Sequence, residues 1–253
     1  MDDSIATNKK SFLKVLLHLM LPIVVQNLIS ALVSTADVLM LSGVGQSALS
    51  ASSLAGQVTF VLTLFYLGLS TGASVLTAQY WGKRDLHTIG QIQVLALRCS
   101  SIISLVFFLA ALCIPQLLMR IFTTDPVLVE LGAIYLRSVS TSYLAMGISQ
   151  MLLAVIKSIE KTRLCAIIST VGLFVNIAFN ALAVLVLFPD NPKGALAGVA
   201  WATVLARVIE LVLCLIVLHR GQGVISSLQD CLKTPLWLCR DFIRCTLPAA
   251  RTK

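Results

Sequence analysis

Six apolar stretches, each long enough to cross a bilayer, constrain this chain more than any other feature. They run approximately from Val15 to Leu41, Leu49 to Ala78, Val94 to Leu118, Val139 to Ile156, Leu164 to Phe188 and Ala195 to Leu218. A hydrocarbon core of about 30 Å takes about 20 apolar residues per helix, and lipid offers the backbone no hydrogen-bond partner outside the helix itself. The separators are turn-forming or charged: Ser42-Gly43-Val44-Gly45, Gly82-Lys83-Arg84-Asp85, Thr123-Thr124-Asp125-Pro126, Glu160-Lys161-Thr162-Arg163 and Pro189-Asp190-Asn191-Pro192. The expected fold is an all-α membrane protein, a bundle of six transmembrane helices over residues 15–218. Residues 1–14 form a cytoplasmic lead, and 219–253 a cytoplasmic or interfacial tail.

Composition excludes the soluble alternatives. Charged residues make up 12% of the 253, and 58% are hydrophobic, where soluble domains carry roughly 25% charged residues. The net charge of +8 does not imply nucleic acid, because the cations lie between apolar runs with no interleaved aromatic stripe. They read as membrane flanks. Lys9, Lys10 and Lys14 before the first run could mimic a signal peptide, but that run is too long and has no small-x-small cleavage site.

Cations near span ends stay cytoplasmic. Lys9, Lys10, Lys14, Lys83, Arg84, Lys157, Lys161, Arg163 and Arg220 fall on the N-terminal side, and Arg120, Arg137 and Lys193 on the other. Nine against three places both termini in the cytoplasm of a multi-pass cell-membrane protein. Beyond Leu218, Leu236, Trp237, Leu238, Phe242 and Ile243 between Lys233, Arg240 and Arg244 suit an amphipathic helix at the headgroups. Its run into Leu247-Pro248 echoes the basic, apolar lead into Leu21-Pro22, as in transporters built from repeated bundles.

No catalytic motif or cofactor site is present. Gly82-Lys83 lacks the remainder of a P-loop, His18, His87 and His219 are far apart, and the seven cysteines contain no C-x-x-C pair. The informative residues are polar ones inside the spans, where a charge costs about 2.5–3.5 kcal/mol on insertion scales and persists mainly facing protein or water. Asp37 in the first span reads as a site residue rather than a hydrated interfacial carboxylate. Asn176 and Asn180 in the fifth span share one helix face, as a site or as glue between helices. Gln26 and Gln57 are cavity candidates with the same two readings, and Thr203 in the sixth span has its own preceding carbonyl to bond. Arg207 and Glu210, three residues apart, are expected to neutralise each other, and Arg98 to snorkel, so neither position is expected at a substrate site. Gly68-x-x-x-Gly72 and Gly194-x-x-x-Gly198 are close-packing devices.

In order, Asp37-Val38-Leu39-Met40, then Ala48-Leu49-Ser50-Ala51-Ser52-Ser53-Leu54-Ala55-Gly56-Gln57, Gly68-Leu69-Ser70-Thr71-Gly72-Ala73-Ser74 and Ala78-Gln79-Tyr80-Trp81-Gly82-Lys83-Arg84-Asp85 resemble the first two helices of multidrug and toxic compound extrusion (MATE) transporters. Residues Gly194 to Glu210 resemble the family's sixth helix. The resemblance implies one six-helix lobe of a twelve-helix antiporter that expels cationic or amphiphilic compounds against a sodium or proton gradient. It implies an ion or proton site at Asp37, Asn176, Asn180 and Thr203, with sodium held by Asp37, Asn176 and Asn180. Some relatives carry Asp where Asn180 stands, which leaves the coupling ion open. The partners implied are small-molecule substrates, the bilayer, and a second lobe that this chain lacks or replaces by forming a homodimer. Two other readings remain: a lipid-linked oligosaccharide flippase, which calls for more cavity-facing cations, and a non-transporting membrane subunit.

Overall fold

The computed structural model describes residues 45–159, 161–188, 191–220 and 236–246, with seven more between 20 and 43. Most of the first expected span, including Asp37 and Gln26, lies outside the described residues. The described chain is helical: α1 (Gln46–Gly82), α2 (Leu86–Cys113), α3 (Pro115–Arg120), α4 (Pro126–Ser158), α5 (Thr162–Ala181), α6 (Pro192–Arg220) and α7 (Leu236–Thr246). A π-helical turn, Leu182–Leu187, prolongs α5. Five of these segments, α1, α2, α4, α5 with its π turn, and α6, are long and apolar enough to cross a membrane.

Local chemistry sets the breaks. Asp85 caps α2, accepting from the Thr88 amide at 3.1 Å and the Thr88 hydroxyl at 2.6 Å. Hydropathy carries the third span to Leu118, yet α2 ends at Cys113, because Pro115 has no amide to donate and holds Ile114 at φ −129°. Asp125 caps α4 through the Val127 amide at 2.9 Å with Pro126 in the first turn. That start lies well upstream of Val139, since caps rather than hydropathy set a helix end.

α4 is the central helix. The most apolar stretch of α4 is 78% buried, against 22–33% in the other four. Phe65, Ile102, Leu185 and Trp201 on those helices are exposed, which fits lipid as solvent rather than water. Ala51, Leu131, Val184, Ala195 and Leu196 pack together at one end of the bundle. Leu152, Ile156, Cys165, Ile168, Cys214 and Leu218 pack at the other. The starts of α1, α4 and α6 therefore share an end with the finish of α5, as consecutive antiparallel spans require.

Between these ends, the fully buried Tyr66 and Tyr143 anchor the main core. The Tyr66 hydroxyl donates to the Tyr143 carbonyl oxygen at 3.0 Å and shares a 2.7 Å bond with Ser104. Both glycine pairs mark close approaches. A Cβ on Gly198 would stand 2.8 Å from Ala183 Cβ, where α6 crosses the π turn. A Cβ on Gly72 would stand 3.2 Å from the Thr246 amide nitrogen of α7. The amphipathic tail helix thus forms, and its Leu238 and Phe242 are buried in the main core with Arg240 left exposed.

Candidate functional site

α5 and α6 pack against each other as antiparallel helices, which aligns their polar positions. Asn180 Nδ2 donates to Asn176 Oδ1 at 3.1 Å, and Asn176 Nδ2 donates to Thr203 Oγ1 at 3.3 Å. Thr203 Oγ1 in turn donates to the Val199 carbonyl at 3.1 Å. Asn180 is buried, and Asn176 and Thr203 are half-buried. The structure therefore joins three of the four residues that the resemblance pairs in an ion site, and one of these bonds is also the cross-helix glue that the asparagine spacing allowed.

Thr203 has a second face. It lies on the wall of a cavity of about 300 Å³ between α1, α4 and α6. Gly56, Thr59, Phe60 and Thr63 form the α1 wall, and Tyr135, Val139, Ser142 and Met146 the α4 wall. Thr59 Oγ1 shares a 3.1 Å hydrogen bond with the Tyr143 hydroxyl. Phe60 and Thr63 are exposed, so the cavity opens along α1. Gln57 is exposed on α1, and the wall there is made by its neighbours Gly56 and Thr59.

Arg207 completes the wall beside Thr203, so the expected ion pair does not keep it off the cavity. The pair exists, with Arg207 Nη1 2.8 Å from Glu210 Oε2. The side chain of Glu210 is only 4% exposed while that of Arg207 is 34% exposed. The bond to Glu210 uses a single donor of a guanidinium that carries five, so pairing and lining coexist. Arg98 and Arg137 are exposed on α2 and α4.

Thr59, Tyr135 and Ser142 escape a reading of the sequence. Hydroxyls in helices commonly bond a carbonyl one turn back, as Thr63 does to Thr59 and Ser142 does to Val139. The regular spacing of Thr59 and Thr63 along α1 is the one available signal, and it does not name the helices opposite.

Neutral amide and hydroxyl oxygens of the Asn180–Asn176–Thr203 row are of the kind a hard cation accepts. Among the described residues no group of three His, Cys, Asp or Glu side chains could hold a metal ion.

The MatE family profile matches residues 22–182. The chain is 22% identical over 230 residues to the uncharacterized transporter YisQ of Bacillus subtilis (strain 168), covering 90% of this chain and 50% of that one. It superposes on the outward-facing conformation of a multidrug resistance MATE family transporter of the MOP superfamily with TM-score 0.82 at 22% identity, over 92% of this chain and 51% of the other. A MOP superfamily transporter from Pyrococcus furiosus Vc1 (DSM3638), for which reverse polarity of the binding pocket suggests a different function, aligns with TM-score 0.81 at 22% identity, over 92% and 50% of the two chains. The chain thus spans about half the length of the relatives it matches, and over that half it belongs to the MatE family of multi-pass membrane transporters.

Proposed function

We propose that this chain is one lobe of a sodium- or proton-coupled antiporter that exports cationic or amphiphilic toxic compounds across the cell membrane, with both termini in the cytoplasm. The observation that carries the reading is the double membership of Thr203. It terminates the Asn180–Asn176 hydrogen-bond row and also lines the cavity between α1, α4 and α6. An ion that ligates the row must re-aim these hydrogen bonds, and the cavity wall moves with them. Asp37 supplies the charge that cycles in this scheme, and Asn176, Asn180 and Thr203 supply neutral oxygens.

The test is efflux of ethidium-like cations from vesicles under imposed sodium and proton gradients, with this chain assembled with a second lobe or as a homodimer. Asp37→Asn keeps the size of the side chain and removes its charge cycle. It should abolish coupled efflux and leave membrane insertion intact. Efflux at the unmutated rate, with unchanged pH and sodium dependence, would remove Asp37 from the mechanism.

A further inference from the structure

The hydroxyls of Tyr66 and Ser104, 2.7 Å apart, set the register of the antiparallel pair α1–α2. Eleven residues further along α1 from Tyr66 stands Thr77, and eleven residues back along α2 from Ser104 stands Gln93. Eleven residues make about three turns and about 16 Å of rise, so each helix returns to the face that carries the Tyr66–Ser104 bond and both positions reach the same level. Thr77 and Gln93 therefore meet at the α1–α2 contact, near the turn between Gly82 and Leu86. Both are 0% exposed. Yet Thr77 Oγ1, Gln93 Oε1 and Gln93 Nε2 have no hydrogen-bond partner among the described residues, each other included. Polar atoms buried without partners cost free energy. One turn from Thr77, the Ser74 hydroxyl donates to the Ala154 carbonyl of α4 at 3.5 Å, so the layer is polar towards the third helix as well.

We propose that a buried water molecule bridges Thr77 and Gln93. The three atoms select water by their chemistry. Nε2 only donates, Oε1 only accepts and the hydroxyl does either, so the occupant must both give and take hydrogen bonds. A cation takes lone pairs alone and would meet the Nε2 hydrogens. Buried waters typically make about three hydrogen bonds to groups without other partners, and Thr77 and Gln93 offer that many atoms. The α1–α2 hairpin is then fastened directly at Tyr66–Ser104 and through an exchangeable molecule nearer its turn. The bridge needs neither the cargo nor the coupling ion of the transporter reading.

Two measurements on the purified chain in detergent test the bridge. X-ray hydroxyl-radical footprinting generates radicals from bound water, so a side chain beside such a molecule is oxidised despite its burial. Ile89, one turn from Gln93 on α2, is 0% exposed, and Ile156, in the apolar cluster with Cys165 and Cys214, is 2% exposed. Ile89 should be oxidised several-fold faster than Ile156, and should fall to the Ile156 rate in the double variant Thr77→Val/Gln93→Met. Thermal unfolding gives the second readout. Each single substitution strands the water and the polar group that remains, so it should lower the melting temperature by a few degrees. The double variant removes every group that calls for water and should melt above either single one. Equal oxidation of Ile89 and Ile156 in the unmutated chain would mean a dry contact, or a partner from another segment in place of water, and would overturn the proposal. So would a single substitution that raises the melting temperature, as relief of a bare polar group predicts, or a double variant whose shift equals the two single shifts combined.

Discussion

Asn176 of α5 and Thr203 of α6 are joined by a 3.3 Å side-chain hydrogen bond, and this bond connects the amide row to the cavity wall. Thr203→Val keeps the volume and removes the acceptor. Asn176 Nδ2 then loses this partner at a half-buried site, at a cost of about 1 kcal/mol. Thermal unfolding should report that loss. The concentration of coupling ion for half-maximal efflux should rise in the same variant, and Thr203→Ser should restore both. A Thr203→Val variant with unmutated ion dependence would confine the row to a structural role.

Tyr66 ties α1 to α2 and α4 in the middle of the bundle through Ser104 and the Tyr143 carbonyl. Tyr66→Phe should cost about 1 kcal/mol. Gly147→Ala should cost more, about 1–3 kcal/mol, because its Cβ would crowd Ser104 Oγ and stand 3.0 Å from the Tyr66 hydroxyl in a packed core. The two share one network, so their unfolding penalties in detergent should not sum in the double variant.

α7 is seated where α1 has no side chain at Gly72. Gly72→Val places methyl groups against Thr246 backbone, which a rotamer change cannot relieve. The variant should lift α7 off the bundle while α1 itself stays helical. Peptide mapping after thiol labelling should then find Cys245, half-buried in the docked helix, modified several-fold faster than in the unmutated chain. Unchanged Cys245 labelling would mean that α7 is held mainly by Leu238 and Phe242.

Five of the spans were legible in the sequence because lipid demands a long apolar run, and the breaks because turn-forming or charged strings stand there, in which Asp85 and Asp125 prove to be the caps. The length of α4 was not legible from hydropathy, since its first turns carry Glu130 and Arg137 yet continue the helix. The Asn176–Asn180 pair announced itself through helical spacing. Its contact with Thr203 depends on how α5 and α6 cross, which no local pattern states. The Arg207–Glu210 pair was legible from its i,i+3 spacing, but the place of Arg207 on the cavity wall was not, because one such bond leaves the rest of the side chain to tertiary packing.

Asp85 gives a pH signature outside the membrane. The hydrogen bond from the Thr88 side chain, followed by that from its backbone amide, holds the Asp85 carboxyl below its usual value. A depressed folded-state pKa stabilises above the unfolded-state value and loses that contribution as pH falls through the folded one. The cap should therefore contribute fully at neutral pH and fade in acid. Asp85→Ala should cost about 1 kcal/mol at pH 7, and its stability difference from the unmutated chain should shrink as the pH drops below the ordinary carboxylate range. A pH-independent difference would show that the carboxylate charge is not what Thr88 selects.

Orientation can be read at the two bundle ends, which the packing clusters separate. Residues near Gln46 and Lys193 belong to the end with Ala51, Leu131 and Ala195, and residues near Gly82 and Thr162 to the opposite one. The sequence expectation of nine cations against three favours the Gly82 end as cytoplasmic, since lipid-flanking cations resist translocation. Single cysteines in a cysteine-free background test this directly. Gly45 is unsuitable for such a substitution, since its φ of 145° strains any side chain, while Gln46 and Lys193 are exposed and Gly82 has open space where a Cβ would stand. Lys193→Cys gives up the ion pair to Glu130 at 2.7 Å, but both side chains are well exposed, so the loss in stability is small. Gln46→Cys and Lys193→Cys should react with an impermeant maleimide in intact cells, and Gly82→Cys and Thr162→Cys only after permeabilisation. Labelling of the Gly82 pair in intact cells would invert the topology and put the α1–α2 turn outside.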